Sequence, residues 1–366
     1  MSAAYAYLDH NATSPMRPAA LDAVVEALRM GGNPSSVHRP GRAARARLDL
    51  ARRQVAGLVG ALPAEVVFTS GGTEANNMAL RGCGRRRVLV SAIEHESVLK
   101  AVPDAERIAV DGNGVVDLAR LERSLAGEPA LVSVMLANNE TGVIQPVAEV
   151  VRLARAAGAL VHCDAVQAAG KVPVDLHGLG VDYLSLSAHK LGGPAGVGAL
   201  MGRAGAPFAA DRLGGGQESY RRAGTENVAG IAGFGAAAEA SRDGLDAALR
   251  DRLEASLPMA RVHGAGAARL PNTSCLSMPG VKAETQVMAL DLAGIAVSAG
   301  SACSSGKVTR SAVLSAMGVE PALAEAAIRI SCGWNTVFGD IERLIAAWQE
   351  LYIRLAQSDI SRAQAA

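Results

Sequence analysis

The sequence predicts an α/β protein, a sheet covered by helices on both faces, with a smaller second domain beside it. Three observations carry this. Between residues 66 and 201, short apolar runs alternate with helix-length stretches, which is the rhythm of strands joined by crossover helices. The length, 366 residues, suits one large domain with a smaller companion. Hydrophobic residues make up 49% of the chain and aromatics only 3%, so an ample core must be built from Ala, Val, Leu and Ile.

Element by element, helical periodicity runs over 19–30 (Leu21, Val24, Val25, Leu28), opened by Pro18 and closed by Gly31 and Gly32. An Arg-rich helix is expected over 43–59. Then come a strand at 66–68, a helix at 74–80, a strand at 88–90 and a helix at 97–102. A strand at 131–136, a helix at 147–157 and strands at 159–161, 183–187 and 198–201 complete the pattern. A charged helix over 241–257 breaks the rhythm, so a domain boundary is expected near residue 246. Beyond it lie a segment at 271–277, a Gly/Ser-rich loop at 299–306 and a strand at 327–331.

Charge excludes some functions. Thirty-six Lys and Arg against 35 Asp and Glu leave a net charge of +1, without the electrostatic footprint of a nucleic-acid or anionic-membrane binder. No uninterrupted run of 18 strongly apolar residues predicts a spanning helix. Residues 1–16 contain no Lys or Arg and include Asp9, so no signal peptide is expected. The five cysteines (Cys83, Cys163, Cys275, Cys303, Cys332) are odd in number and lack CxxC spacing, as in a reduced, cytoplasmic chain.

Chemistry concentrates at strand ends. Lys190, one of only five lysines, follows Ser187-Ala188-His189 at the end of an apolar strand. Asp164 ends another, with Gln167 three residues on; taken alone, an aspartate there is more often a turn former or helix cap than a catalyst. Ligands settle at that edge in open α/β sheets. An amine and a carboxylate together suit pyridoxal phosphate, which needs a lysine for its aldehyde carbon and an acid facing its ring nitrogen. Ser70-Gly71-Gly72-Thr73-Glu74 offers a glycine turn and a helix N-terminus for a phosphate. His95 follows a further strand, where its ring could stack on the cofactor or simply be hydrogen-bonded. Cys303, in a loop of glycines and serines, is either a reactive thiol or an inert one. Arg329, alternating with Ile328 and Ile330, serves a structural ion pair or a carboxylate ligand.

Ten ordered motifs carry a wider resemblance. They are 7–13 (Tyr-Leu-Asp-His-Asn-Ala-Thr), 33–36 (Asn-Pro-Ser-Ser), 70–77 (Ser-Gly-Gly-Thr-Glu-Ala-Asn-Asn), 94–95 (Glu-His), 138–142 (Asn-Asn-Glu-Thr-Gly), 162–167, 187–190, 222–227 (Arg-Ala-Gly-Thr-Glu-Asn), 300–306 and Arg329. The chain resembles the cysteine desulfurases of iron-sulfur cluster assembly, within the class V, fold-type I pyridoxal phosphate enzymes. The resemblance implies a large domain at 16–246 with a mostly parallel seven-stranded sheet. It also implies a smaller α+β domain formed by 1–15 and 247–366. By the same resemblance Lys190 binds the cofactor covalently, Asp164 faces the ring nitrogen and His95 stacks on the ring. Gln167 and Asn139 lie near the ring oxygen and the substrate. Gly72, Thr73, Ser187 and His189 hold the phosphate, with Thr225 reaching it from the other subunit of a homodimer. Arg329 and Asn33 clamp the substrate carboxylate, and Cys303 takes the sulfur of L-cysteine as a persulfide, leaving L-alanine. The partner implied is a sulfur-accepting protein such as an iron-sulfur scaffold; no metal, nucleic acid or membrane is implied. A selenocysteine lyase, another class V aminotransferase and a non-enzymatic paralogue are the alternatives, the last disfavoured because Lys190, Asp164 and Cys303 all remain. The chain departs from the family at His10, where Asn is usual, at Ala223, where Ser is usual, and after Gly333, where an arginine is common.

Overall fold

The computed structural model describes residues 5–299 and 310–365. Strand β1 (Ala6–Tyr7) precedes the seven strands of the main sheet: β2 (Val66–Thr69), β3 (Val88–Ser91), β4 (Glu106–Ile108), β5 (Leu131–Ser133), β6 (Leu160–Asp164), β7 (Tyr183–Ser187) and β8 (Gly198–Gly202). Their order is β2-β8-β7-β6-β5-β3-β4. The ladders from β7 across to β4 are parallel, and β8 runs antiparallel to both its neighbours. Strands β2, β3, β5 and β7 are buried at every position, as a sheet covered on both faces requires. This is the mostly parallel seven-stranded sheet that the resemblance implied.

A second, antiparallel sheet has the order β12-β13-β10-β9, from β9 (Arg261–Val262), β10 (Thr273–Ser277), β12 (Ser298–Ala299) and β13 (Ala327–Ser331). Strand β1 pairs in parallel with β11 (Ile295–Ala296), so the N-terminal segment joins the C-terminal part of the chain. There Ala6 and Leu8 share an apolar core with Leu276, Ile328, Leu344 and Trp348. Beyond β1 the Asn11 N–H donates to Ser331 Oγ at the end of β13, while the Asn11 carbonyl accepts from Lys190 just after β7 of the main sheet.

Several elements differ from the sequence expectation. The helix at Pro18–Met30 agrees, with Pro18 in its first turn. The charged helix is shorter than 241–257, spanning Ala248–Ser256. Only Leu131–Ser133 of the apolar run 131–136 is strand; Val134 and Leu136 still donate their N–H groups to the carbonyls of His162 and Asp164 in β6, while Met135, Ala137 and Asn139 line the site. The helix Val228–Ala240 was not anticipated, because its small, uniformly apolar residues show no polar face. It lies between the helices Pro18–Met30 and Arg39–Leu58. The approach is close: a Cβ on Gly235 would stand 2.6 Å from Ala51 Cα. No helix among the described residues is long and apolar enough to cross a membrane.

Candidate active site

Residues at the C-terminal ends of the parallel strands, and in the turns that follow, converge on one cavity of about 360 Å³. Asp164 ends β6; Ser187, His189 and Lys190 end or follow β7; His95 follows β3; Asn139 and Gln167 follow β5 and β6. Gly72 and Thr73 open the helix Gly72–Gly82 after β2, and Arg329 reaches in from β13. All ten were singled out in the sequence and all line this cavity. Asn33 does not: it is exposed, and its Oδ1 accepts from the Ser35 N–H. Thr225 lines a separate cavity of about 240 Å³ with Ser70 and Arg222. Cys303 and its flanking glycines Gly300 and Gly306 lie outside the described residues.

Lys190 Nζ donates to the backbone carbonyls of Asn11, at 2.5 Å, and Ala12, at 2.7 Å. The N-terminal segment is therefore what seats this amine. Asp164 is buried; Oδ1 accepts from the Val166 N–H at 2.9 Å and Oδ2 from Asn76 Nδ2 at 2.7 Å. Asn76 Nδ2 also donates to Ser97 Oγ at 2.9 Å, and that hydroxyl lies 2.8 Å from His95 Nδ1. The Ser97 N–H donates to the same Nδ1, so the neutral ring carries its proton on Nε2. Burial lowers the His95 pKa, with Asp164 opposing, which favours that neutral form. Burial and the nearby Lys190 hold His189 down at about 4.

Arg329, for which two roles stood open, makes an ion pair and also faces the cavity. One terminal nitrogen donates to Asp9 Oδ1 at 2.8 Å, and the other to the Asn139 carbonyl at 3.1 Å. Among the described residues its Nε has no partner, although the side chain is 3% exposed. Ser298 donates to the other Asp9 oxygen, tying the pair to β12. The turn before the helix Gly72–Gly82 is equally confined. A Cβ on Gly72 would come within 3.0 Å of Val166 Cγ2, and one on Gly198 within 2.5 Å of the Gly71 carbonyl carbon. The described cysteines offer no competing nucleophile at the cavity. Cys83, Cys163, Cys275 and Cys332 are buried, and burial raises each thiol pKa, Cys332 to about 12.

The sequence reading missed several residues that organise the site. Asn11 and Asn76 stood inside quoted motifs without a role. Ala12 acts only through its carbonyl, so its side-chain type carries no signal. Asp9, Ser97 and Lys171 are ordinary residue types at positions that become special only in the fold.

The protein-family model for class-V aminotransferases matches residues 6–344. The chain belongs to the class-V aminotransferase family. Among relatives in that family, a cysteine desulfurase of Cereibacter sphaeroides is 47% identical over 93% of each chain. One from Sinorhizobium fredii is 42% identical over 96% of this chain and 97% of its own. A solved NifS-like protein from Rickettsia africae superposes with a TM-score of 0.88 at 35% identity, covering 95% of this chain and 99% of that one. The mostly parallel sheet is thus that of the family, whose members generally use pyridoxal phosphate.

Proposed function

We propose that this chain is a pyridoxal-phosphate-dependent cysteine desulfurase that converts L-cysteine to L-alanine and takes the sulfur onto Cys303. One observation carries the reading: Asp164, His95 and Lys190, at or just after the ends of three strands, and Arg329 from the middle of β13 line a single cavity. The donor set fits the cofactor. The cavity offers an amine, a buried carboxylate held by two N–H donors, and a helix N-terminus whose first residue has little room for a side chain. Asp164 would hold the ring nitrogen, Gln167 and Asn139 the ring oxygen and substrate, and His95 the ring face. Gly72, Thr73, Ser187 and His189 would hold the phosphate, with Thr225 lent by the second subunit of a homodimer. The division into 16–246 and 1–15 with 247–366 belongs to this reading, as do a cytoplasmic location and delivery to a sulfur-accepting protein such as an iron-sulfur scaffold.

When bound, pyridoxal phosphate supplies an electron sink conjugated to the substrate's α-carbon. The chain's own groups do the rest. The Arg329 guanidinium, with its Nε unpartnered among the described residues, binds the substrate carboxylate; Asn33, exposed and outside the cavity in this chain, is not carried into that clamp. Lys190 Nζ takes the α-proton from the substrate and returns it to the α-carbon of alanine at the end of the turnover. The Cys303 thiolate attacks the substrate sulfur: the Cβ–S bond breaks, an S–S bond forms on Cys303, and the proton that left the Cys303 thiol balances the new C–H bond of alanine. His95, neutral with its proton on Nε2, relays protons in the thiol chemistry.

Borohydride reduction of the yellow protein followed by peptide mapping tests the cofactor site. The adduct is expected on Lys190, and an adduct on Lys100, Lys171, Lys282 or Lys307 overturns the assignment. Incubation with L-cysteine should release alanine. A Cys303→Ala chain should keep the cofactor yet form no persulfide and little alanine; full turnover there would favour an aminotransferase or lyase.

A further inference from the structure

Lys171 sits four residues after Gln167 and is buried, 6% exposed. Its Nζ donates to Gln167 Oε1 and to Asn11 Oδ1, both at 2.8 Å. Among the described residues no carboxylate pairs with it. The charged and titratable groups facing it are Lys190 and Arg329, both cationic, and His10, which burial and the lysine hold down at about 4. Together with burial, those two cations lower the Lys171 pKa well below the ordinary lysine value. A buried amine among like charges is costly, and a methionine would fill the space without that penalty. What the amine supplies is a pair of directed N–H donors.

Both acceptors lead to Lys190. The Asn11 carbonyl accepts from Lys190 Nζ at 2.5 Å and from Gln167 Nε2 at 2.9 Å. A glutamine amide can flip, exchanging its oxygen and nitrogen. With Oε1 held by Lys171 and Nε2 by the Asn11 carbonyl, Gln167 has one orientation that satisfies both. The Asn11 side chain is held likewise: Oδ1 accepts from Lys171, while Nδ2 donates to Thr273 Oγ1 at 2.9 Å and to the Asn139 carbonyl at 3.2 Å.

We propose that Lys171 is a positioning residue of the active site, locking the Gln167 amide and the Asn11 side chain so that the Asn11 carbonyl seats Lys190 and the Gln167 N–H serves the cofactor's ring oxygen. This rests on the reading that the cavity binds pyridoxal phosphate. A cationic or donating neighbour and an N–H on the ring oxygen both disfavour proton uptake by the nitrogen and oxygen pair at which Lys190 meets the cofactor.

The test is a pH titration of the visible absorbance of the cofactor-loaded parent, Lys171→Met, Gln167→Ala and the double variant. Lys171→Met should move the titration midpoint upward by about one pH unit, a tenfold change in proton affinity. In the Gln167→Ala background the same substitution should move it by less than half as much, since the two act through one amide. Lys171→Gln, which keeps a donor, should give an intermediate midpoint and carries the test if Lys171→Met does not fold. An unmoved midpoint in a Lys171 variant that binds the cofactor, or full additivity in the double variant, overturns the proposal. A parent that shows no visible band, or whose reduced adduct maps elsewhere than Lys190, defeats the cofactor reading instead.

Discussion

The Arg329 guanidinium is buried with one ion-pair partner, Asp9, and one carbonyl acceptor, and neither fully occupies its planar fork. Lysine cannot copy a two-pronged contact, so Arg329→Lys should weaken cysteine binding while leaving the cofactor spectrum intact. Losing one charged pair in a closed site costs about 2–5 kcal/mol, so the apparent cysteine affinity should fall more than tenfold. An unchanged affinity would leave Arg329 as the structural partner of Asp9 alone. Buried titratable groups also set a pH profile. Burial lowers His10, His162, His189 and His263 from 6.5 to about 4. The unfolded chain takes up these protons below 6.5 and the folded chain refuses them until about 4, so stability falls as pH drops through that window. Glu94 and Glu140 are raised by burial from 4.5 to about 8 and about 7. They keep protons that the unfolded chain releases, so stability falls as pH rises from 4.5 toward 8. With four groups against two, stability rises with pH up to ~6.5, where the histidine contribution is complete, and falls above it as the two carboxyl contributions are lost. Melting temperatures measured from pH 4 to 9 should peak there, and a monotonic rise or fall would contradict the argument.

At the scale of elements, the antiparallel strand β8 is pressed against the turn that opens the helix Gly72–Gly82. A Cβ at Gly198 would meet the Gly71 carbonyl carbon at 2.5 Å and the Leu186 carbonyl oxygen at 2.7 Å, both backbone atoms that cannot rotate aside. Gly198→Ala should therefore destabilise the fold by about 1–3 kcal/mol or more and loosen cofactor retention together. Gly202→Ala, on the same strand with nothing within 4 Å of the added carbon, is the control. Equal denaturant midpoints for the two variants would show that the turn yields. Elements with an alternating or amphipathic pattern were legible from residues alone, as Pro18–Met30 and Tyr183–Ser187 illustrate. Val228–Ala240 was not, because a helix buried between two others has no polar face to announce its period.

At the scale of the whole molecule, the shared-site reading turns on where Thr225 can act. In a single chain it lines a cavity apart from Lys190, beside Arg222, whose own partner is Glu74 of the same chain at 2.9 Å. Thr225→Ala is therefore a cleaner variant than any that also removes Arg222. A Thr225→Ala chain of reduced activity, mixed with a Lys190→Ala chain under conditions that exchange subunits, should recover activity above either parent, because one site in each mixed dimer is then whole. Mixed dimers without recovery, or an active monomer in sedimentation, would remove Thr225 from the cofactor's neighbourhood.

The residues by themselves determined the α/β class, the family and most of the cavity's lining. Strand-end chemistry such as Asp164 and Lys190 is written in local apolar runs and in side chains that nothing else at those positions requires. Tertiary structure alone decided how those groups are held. Lys190 is seated by the carbonyls of Asn11 and Ala12, nearly 180 residues away in sequence, and a carbonyl is common to every residue type. Asn76 and Ser97 join Asp164 to His95 only once the helix after β2 lies beside the turn after β3. Lys171 is an ordinary lysine until packing removes its water and leaves Asn11 and Gln167 as its acceptors. Identity of side chain is a local property, whereas burial and the partner of a hydrogen bond are set by which distant segments the fold brings together.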